Sequence, residues 1–298
     1  AERMELLSKQ LLDPVSAARA ALELEGIGKK AIDILRKGLA AGDPEVQFYS
    51  AEALAYLDCR DAAEPLARIA REQPAFRVYA LAALGTLDDL SAYEQLCSLL
   101  HGSSAETRYG AFRALWVMNR RDPLVCGERL GSDQFSYHVL AVEGPPMVHV
   151  CTHKRAEVVL FGKEHPLRGQ FFLEAGSRIV VRPNRDNPEE LVVSRFVVGE
   201  PDQQRIVPNQ LDAMIRAIAE LGGNYPDVVQ ALVQAKAQGA LTSRFEVDAL
   251  PEPGRSYEPE DRTQVSLPPE EPEKTDSERP FLGRPWTKLF WPTSSKVD

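Results

Sequence analysis

The sequence predicts an α+β protein, in which an N-terminal α-solenoid of helical repeats precedes a small β-rich domain closed by two helices and a short strand. Three patterns predict this fold: helical repeats over residues 13–123, short β-branched runs between 135 and 198, and two amphipathic helical patterns within 208–248. The predicted domains are residues 1–125, 126–250 and a tail over 251–298.

A helical pattern recurs every thirty residues, beginning at Asp13-Pro14, Asp43-Pro44 and Gln73-Pro74. Aspartate is a favoured N-cap, and proline fits the first helical turn because its missing N–H needs no partner there. Each repeat is predicted as two helices, and neighbouring repeats must stack to bury their apolar faces. The period resembles that of HEAT repeats, whereas tetratricopeptide repeats fit less well. One register of the repeat holds Leu24, Leu54 and Leu84.

Short β-branched runs follow the repeats, and glycine- and proline-rich turns separate them. Five or six closely spaced strands indicate an antiparallel sheet or a small barrel. The predicted strands cover residues 135–143, 146–152, 156–161, 169–173, 178–182 and 190–198.

His149, Cys151 and His153 are the weak candidates for a metal site, because residues spaced by two lie on one face of a strand. Their nitrogen and sulfur atoms suit zinc or copper. Same-face neighbours on a strand are about 6 to 7 Å apart, however, which is too far for three ligands at about 2 Å from one ion. A polar strand face with a half-buried cysteine is therefore the favoured interpretation, and no metal or cofactor is predicted.

Composition excludes several function classes. The formal net charge of −9 argues against general nucleic-acid binding, which needs a basic surplus. No apolar run is long enough for a transmembrane helix, and the first residues lack the pattern of a signal peptide. The four cysteines form no metal-binding or redox motif. Because no catalytic constellation is recognisable, we expect a protein that is not an enzyme.

The stretch 208–248 predicts two amphipathic helices, separated by Gly222-Gly223 and followed by a short strand. Three features stand in the order typical of the C-terminal end of bacterial flagellar P-ring proteins. They are a helix that ends at Leu221-Gly222, the run 227–232 and the string 236–241, which reads KAQGAL. The stretch therefore resembles that family, with the helical repeats as an insertion upstream.

The P-ring resemblance implies a periplasmic, non-catalytic structural protein of the basal body, without a cofactor. It also implies protein partners, which are other ring subunits or rod and envelope proteins, and homo-oligomers in the full-length context. Binding would use the helical repeats. Two alternatives stay open: a general HEAT-repeat scaffold or adaptor, and an accessory enzyme with a small-molecule site at the domain junction.

The tail has an acidic, proline-rich first part and an aromatic, basic end. Low hydrophobicity and excess charge predict a disordered linker over residues 251–278. Aromatic side chains among basic ones are typical of short docking motifs, whose rings fill a pocket on a partner or on the same chain. The candidate docking residues are Trp286, Phe290 and Trp291.

Overall fold

The computed structural model describes residues 2–132, 134–153 and 155–252. These residues form two compact units, which comprise residues 2–86 and Leu87–Pro251. The first unit is entirely helical. Its helices are α1 (Glu2–Leu11), α2 (Ala17–Ile27), α3 (Ile32–Leu39), α4 (Pro44–Tyr56), α5 (Ala63–Glu72) and α6 (Arg77–Leu84).

Helix α4 begins as the sequence predicts. The Asp43 side chain accepts hydrogen bonds from the N–H groups of Glu45 and Val46, at 2.9 and 3.1 Å, and Pro44 occupies the first turn. The other two X-Pro pairs do not open helices. Pro14 and Pro74 lie in turns that precede α2 and α6, so the N-cap prediction is confirmed in the second repeat alone.

The predicted repeat register is confirmed in the core of the first unit. Leu24, Leu54 and Leu84 lie on the first helix of their repeats and are all fully buried. Helices α3 and α4 approach closely at Gly38, where an added Cβ atom would lie 2.0 Å from the hydroxyl oxygen of Ser50. HEAT-like helical repeats therefore precede the β-rich region, and the α+β fold class is confirmed.

The second unit contains four helices and nine strands among its described residues. The helices are α7 (Leu90–Leu99), α8 (Ala105–Met118), α9 (Leu211–Glu220) and α10 (Tyr225–Ala237). The strands are β1 (Glu128–Leu130), β2 (Phe135–Leu140), β3 (Met147–Cys151), β4 (Glu157–Phe161), β5 (Leu173–Ala175), β6 (Ile179–Pro183), β7 (Glu190–Arg195), β8 (Gln203–Pro208) and β9 (Arg244–Val247).

The strands form two sheets, so the prediction of one antiparallel sheet or a small barrel is wrong. The first sheet is mixed and has the order β1-β2-β4-β3-β9. Strand β4 inserts between β2 and β3 and runs parallel to β2, while β9 arrives after two helices and runs parallel to β3. The second sheet is an antiparallel meander, β5-β6-β7-β8.

Both faces of the first sheet are covered, which explains why every residue of β3 and β4 is buried. One face joins the core formed with α9, α10 and the inner face of the second sheet. The other face lies against α8, whose residues from Ala105 to Leu115 are all buried. This helix is the first helix of the fourth repeat, and its enclosure follows from the contact with the sheet.

The predicted domain boundary at residue 125 stays a prediction. The boundary between the two compact units is a different one. It lies between Thr86 and Leu87, inside the third repeat, because α7 and α8 pack together and α8 is enclosed by the first sheet. None of the described helices is long and apolar enough to cross a membrane. The predicted tail beyond residue 252, including its disorder and its docking residues, lies outside the described part of the chain.

Candidate functional site

A buried polar cluster links α8 to the first sheet. The Tyr109 hydroxyl donates to the Glu157 carboxylate at 2.6 Å and lies 3.1 Å from the Cys151 sulfur. Arg113 forms an ion pair with Glu157 at 3.1 Å, and both side chains are almost fully buried. The ring of His149 stacks on Tyr109, with the ring centroids 3.8 Å apart. All five side chains therefore belong to one contact between the helix and β3–β4.

The electrostatics of this cluster favour a structural role. Burial raises the pKa of Glu157, but Arg113 and the Tyr109 hydroxyl outweigh it, so the pKa lies below its ordinary value and the carboxyl is ionised. Burial raises the pKa of Cys151 to about 12, which keeps the thiol protonated. Burial also lowers the pKa of His149 to about 4, so its ring is neutral at pH 7.

The three candidate metal ligands do not share one environment. His149 and Cys151 lie on the α8-facing side of β3, as their spacing predicts, and are buried. His153 lies beyond the end of the strand and is exposed, where its Nδ1 atom lies 2.8 Å from Asp248. Among the residues that the structure describes, no group of three or more His, Cys, Asp or Glu side chains could hold a metal ion.

Asp248 ties the end of β9 to the turn after β3. Its carboxylate accepts hydrogen bonds from the backbone N–H and the hydroxyl of Thr152, besides its contact with His153. Burial raises the pKa of Asp248, but these hydrogen bonds outweigh the effect of burial. The pKa therefore lies below its ordinary value, and the carboxyl is ionised. None of these three residues lines the two depressions described next.

Two open depressions of about 240 and 500 Å³ adjoin each other beside β5 and β6. Both are lined by Ser177 and Ile179, and the smaller one is lined mostly by polar groups, including Arg178 and Arg195. Arg195 already pairs with Glu200 at 3.3 Å. Ligand pockets instead combine an enclosing apolar wall with a few convergent polar groups. These depressions therefore lack the features of a ligand-binding pocket.

The β5 edge of the second sheet is closed by its own helix. Three glutamines spaced by four, two on α10 and one at its C-cap, present side-chain oxygens to alternate backbone N–H groups along this edge. We call this set the glutamine ladder: Gln230 accepts from Gly176 at 3.3 Å, Gln234 from Glu174 at 2.8 Å, and Gln238 from Phe172 at 3.2 Å. Gln238 also donates to the Phe172 carbonyl at 2.8 Å. A further strand therefore has no free N–H groups to pair with here.

Among the residues that the structure describes, no further strand pairs with β8 at the other end of this sheet, and we call this the open β8 edge. Just beyond the last paired residues of β7 and β8, the Asn209 N–H donates to the Glu189 carbonyl. Asn209 and Glu189 therefore form a hydrogen-bonded pair that continues the register of the two strands. Antiparallel pairs alternate between the hydrogen-bonded type and the other type. Within the register of the two strands, Arg205 and Val207 consequently bond to β7. The N–H groups of Gln204 and Ile206 therefore point away from β7, towards solvent.

Apolar side chains accompany this open edge. Ile206 is 58% exposed on the outer face of the sheet, opposite Val192. Phe196, which directly follows β7, is 49% exposed. A sheet edge with unpaired backbone groups and exposed apolar side chains is a template for pairing with another strand. We take the open β8 edge as the candidate functional site.

Sequence analysis missed this site because it did not predict β8. The strand begins with three polar residues, Gln203, Gln204 and Arg205. Because polar residues are poor strand formers, this start does not read as a strand. The available signal was the β-branched pair Ile206-Val207 between the turn residues Gly199-Glu200-Pro201 and Pro208-Asn209. The docking residues predicted from sequence, Trp286, Phe290 and Trp291, lie outside the described residues.

No family model and no curated protein matches the chain. Among solved structures, the chain is similar to the complex of CpcE and CpcF of phycocyanin lyase from Nostoc sp. PCC7120, with a TM-score of 0.33 and 18% identity. The alignment covers 41% of this chain and 83% of that chain.

The predicted resemblance to flagellar P-ring proteins is wrong. No family model supports it, and a solved structure to which the chain is similar is a phycocyanin lyase complex. Residues 208–248 do form two helices and a strand, but any pair of amphipathic helices stopped by glycine can show this pattern. The predicted role as a basal-body ring subunit that binds through its repeats is wrong with it, and the scaffold alternative is not better supported.

Proposed function

We propose that this chain is a non-catalytic protein-binding component whose partner adds a β-strand to the open β8 edge. One observation carries the proposal: the glutamine ladder closes one edge of the second sheet, whereas the other edge presents unpaired N–H groups beside the exposed Ile206. Main-chain hydrogen bonds would supply affinity, and contacts with Ile206 on the outer face would supply specificity.

The non-catalytic part of the proposal is supported by the buried cluster at α8. Its thiol and phenol are held protonated by burial, and its carboxylate is committed to Arg113 and Tyr109. These groups stabilise a contact between elements and are not presented to a substrate. The accessory-enzyme alternative and the periplasmic location stay predictions without further support.

The test compares three forms of the full chain as baits after cross-linking in the source cell. Ile206→Lys places a charge at the open edge, and Val198→Lys is the control, since it places the same charge at a fully exposed site beside it. We expect a partner that is captured by the wild type and by Val198→Lys but lost with Ile206→Lys. Binding must then be reproduced with the purified partner and the three purified baits.

A partner that binds all three baits equally would contradict the proposal, because its contact would not involve the β8 edge. Hydrogen exchange gives a second criterion. The amides of Gln204 and Ile206 should become protected in the complex, because a paired strand takes up their N–H groups. Unchanged exchange at both amides would place the partner elsewhere.

A further inference from the structure

We propose that the strand added at the β8 edge is β8 of a second copy of this chain, paired antiparallel about a two-fold axis that passes between the two Ile206 residues. This inference rests on the proposed function and names its partner. The two second sheets, each of four strands, would join into one continuous sheet. The proposal follows from the hydrogen-bonding groups that β8 leaves unpaired.

The free edge of β8 is short, and its donors and acceptors are unequal. Gln204 and Ile206 each present an N–H group away from β7, whereas Pro208 has none to present. Among the carbonyls, that of Gln204 already accepts from Arg205 Nη1 at 3.3 Å. The Pro208 carbonyl likewise accepts from the Gln210 N–H. Each carbonyl oxygen has two lone pairs, so those of Gln204, Ile206 and Pro208 can all accept a further bond.

Antiparallel pairing of Ile206 with Ile206 of a second copy uses both N–H groups of each edge. The two isoleucines exchange both N–H···O bonds, and each Gln204 N–H reaches the Pro208 carbonyl of the other chain. The proline then lies opposite the residue whose carbonyl already accepts one bond, so neither chain leaves a donor unpaired. The edge is therefore complementary to itself in this register.

The two registers shifted towards the start of β8 are less favourable. A shift that centres the axis on Arg205 places two guanidinium groups directly opposite each other, and like charges in this position destabilise a sheet. A shift that centres it on Gln204 places each Ile206 opposite Asp202 of the other copy, which separates the two exposed isoleucines. In the favoured register Arg205 lies opposite Val207 of the other copy, and its charge keeps its contact with Glu220, at 3.9 Å.

The favoured register also pairs the exposed apolar groups. Residues directly opposite each other share one face of a sheet. Both Ile206 side chains, each 58% exposed in the single chain, would therefore meet on the outer face, beside Val192 of their own sheets. Isologous contacts of this kind close at two copies, as is usual for soluble homo-oligomers.

Cysteine cross-linking of the full chain tests the register. In a Cys126→Ser background, which removes an exposed native cysteine, Ile206→Cys should form a disulfide-linked dimer on mild oxidation. The two Cα atoms would be about 5.5 Å apart, within the range of about 4.4 to 6.8 Å that a disulfide spans. Gln204→Cys is the matched control. It should stay monomeric on a non-reducing gel, because residue 204 lies opposite Pro208 of the other copy.

Sedimentation velocity over a range of protein concentrations tests the dimer itself. The wild type and Val198→Lys should dimerise alike, and Ile206→Lys should weaken dimerisation at least about tenfold, since two like charges would face each other. Efficient cross-linking through Gln204→Cys instead of Ile206→Cys would overturn the proposed register. A wild type that stays monomeric at every concentration would overturn self-pairing. If the wild type is monomeric but a different protein is captured in a way that depends on Ile206, the proposed function still holds. If no such protein is captured either, both the self-pairing and the proposed function are contradicted.

Discussion

At the scale of single residues, the ion pair between Arg113 and Glu157 shows how the second unit holds a charge in its interior. The carboxylate has two partners, the guanidinium and the Tyr109 hydroxyl. Arg113 also lies over the ring of Trp116, 4.3 Å from its centroid. A buried pair of charges contributes little net stability, but the loss of one partner is costly because it leaves the other charge buried and unpaired.

Glu157→Gln should therefore lower the free energy of unfolding by about 3 to 5 kcal/mol, measured by urea denaturation followed by near-ultraviolet circular dichroism. Glu220→Gln is the control, because its contact with Arg205 is exposed and should contribute less than about 1 kcal/mol. Equal losses in the two variants would show that the buried pair does not connect α8 to the sheet.

At the scale of elements, helix α10 performs a task that a neighbouring strand usually performs. Its glutamines recur every four residues and lie along one line of the helix, while the N–H groups that they satisfy recur every two residues along β5. Four residues of helix rise about 6 Å and two residues of strand about 6.6 Å, so the two periods match over this short length.

Gln234→Ala should raise the exchange rate of the Glu174 amide about fivefold, which corresponds to the loss of about 1 kcal/mol for one hydrogen bond. Hydrogen exchange followed by NMR measures this rate. Gln203→Ala, at an exposed position on β8, is the control and should leave the amide unchanged. Slow exchange in Gln234→Ala would mean that other groups protect the edge.

The helical repeats depend on leucines rather than on polar ladders. Leu54→Ala removes a fully buried side chain from α4 and should cost about 2 to 5 kcal/mol of unfolding free energy. Leu12→Ala, at a site that is 51% exposed, should cost about 0.5 kcal/mol or less in the same denaturation experiment. A loss below about 1 kcal/mol for Leu54→Ala would contradict the repeat register.

At the scale of the whole molecule, stability should depend on pH through its buried histidines. Burial lowers the pKa of His149 to about 4, and it also lowers the pKa values of His138 and His165. The unfolded chain protonates histidine near pH 6.5. Between pH 6.5 and 4 the unfolded state therefore binds more protons, so stability is complete above this window and falls as the pH decreases through it.

For His149 the loss should amount to about 3 kcal/mol between pH 6.5 and 4. Urea denaturation at a series of pH values measures it. His149→Phe keeps an aromatic ring against Tyr109 and cannot be protonated, so its free energy of unfolding should fall less steeply over this window. An identical slope in the variant would show that His149 is not the group that titrates.

The fold class could be predicted from the sequence because it depends on patterns that repeat over many residues. The thirty-residue spacing of Leu24, Leu54 and Leu84 predicted the stacked helices, and glycine stops delimited α9 and α10. Sequence reasoning did not reach the sheet order, since local patterns do not show that β4 inserts between β2 and β3. The candidate site was missed for a related reason: an open edge strand is polar, so β8 lacks the apolar alternation by which buried strands are recognised.

The glutamine ladder also has a consequence for the size that any assembly can reach. A sheet with two open edges can add copies at both, and the product is a fibre without a defined end. Here α10 closes one edge of the second sheet, so among the described residues this sheet has a single edge left for strand addition. Growth through this sheet would then terminate after one step, and the helix at its opposite edge sets that limit.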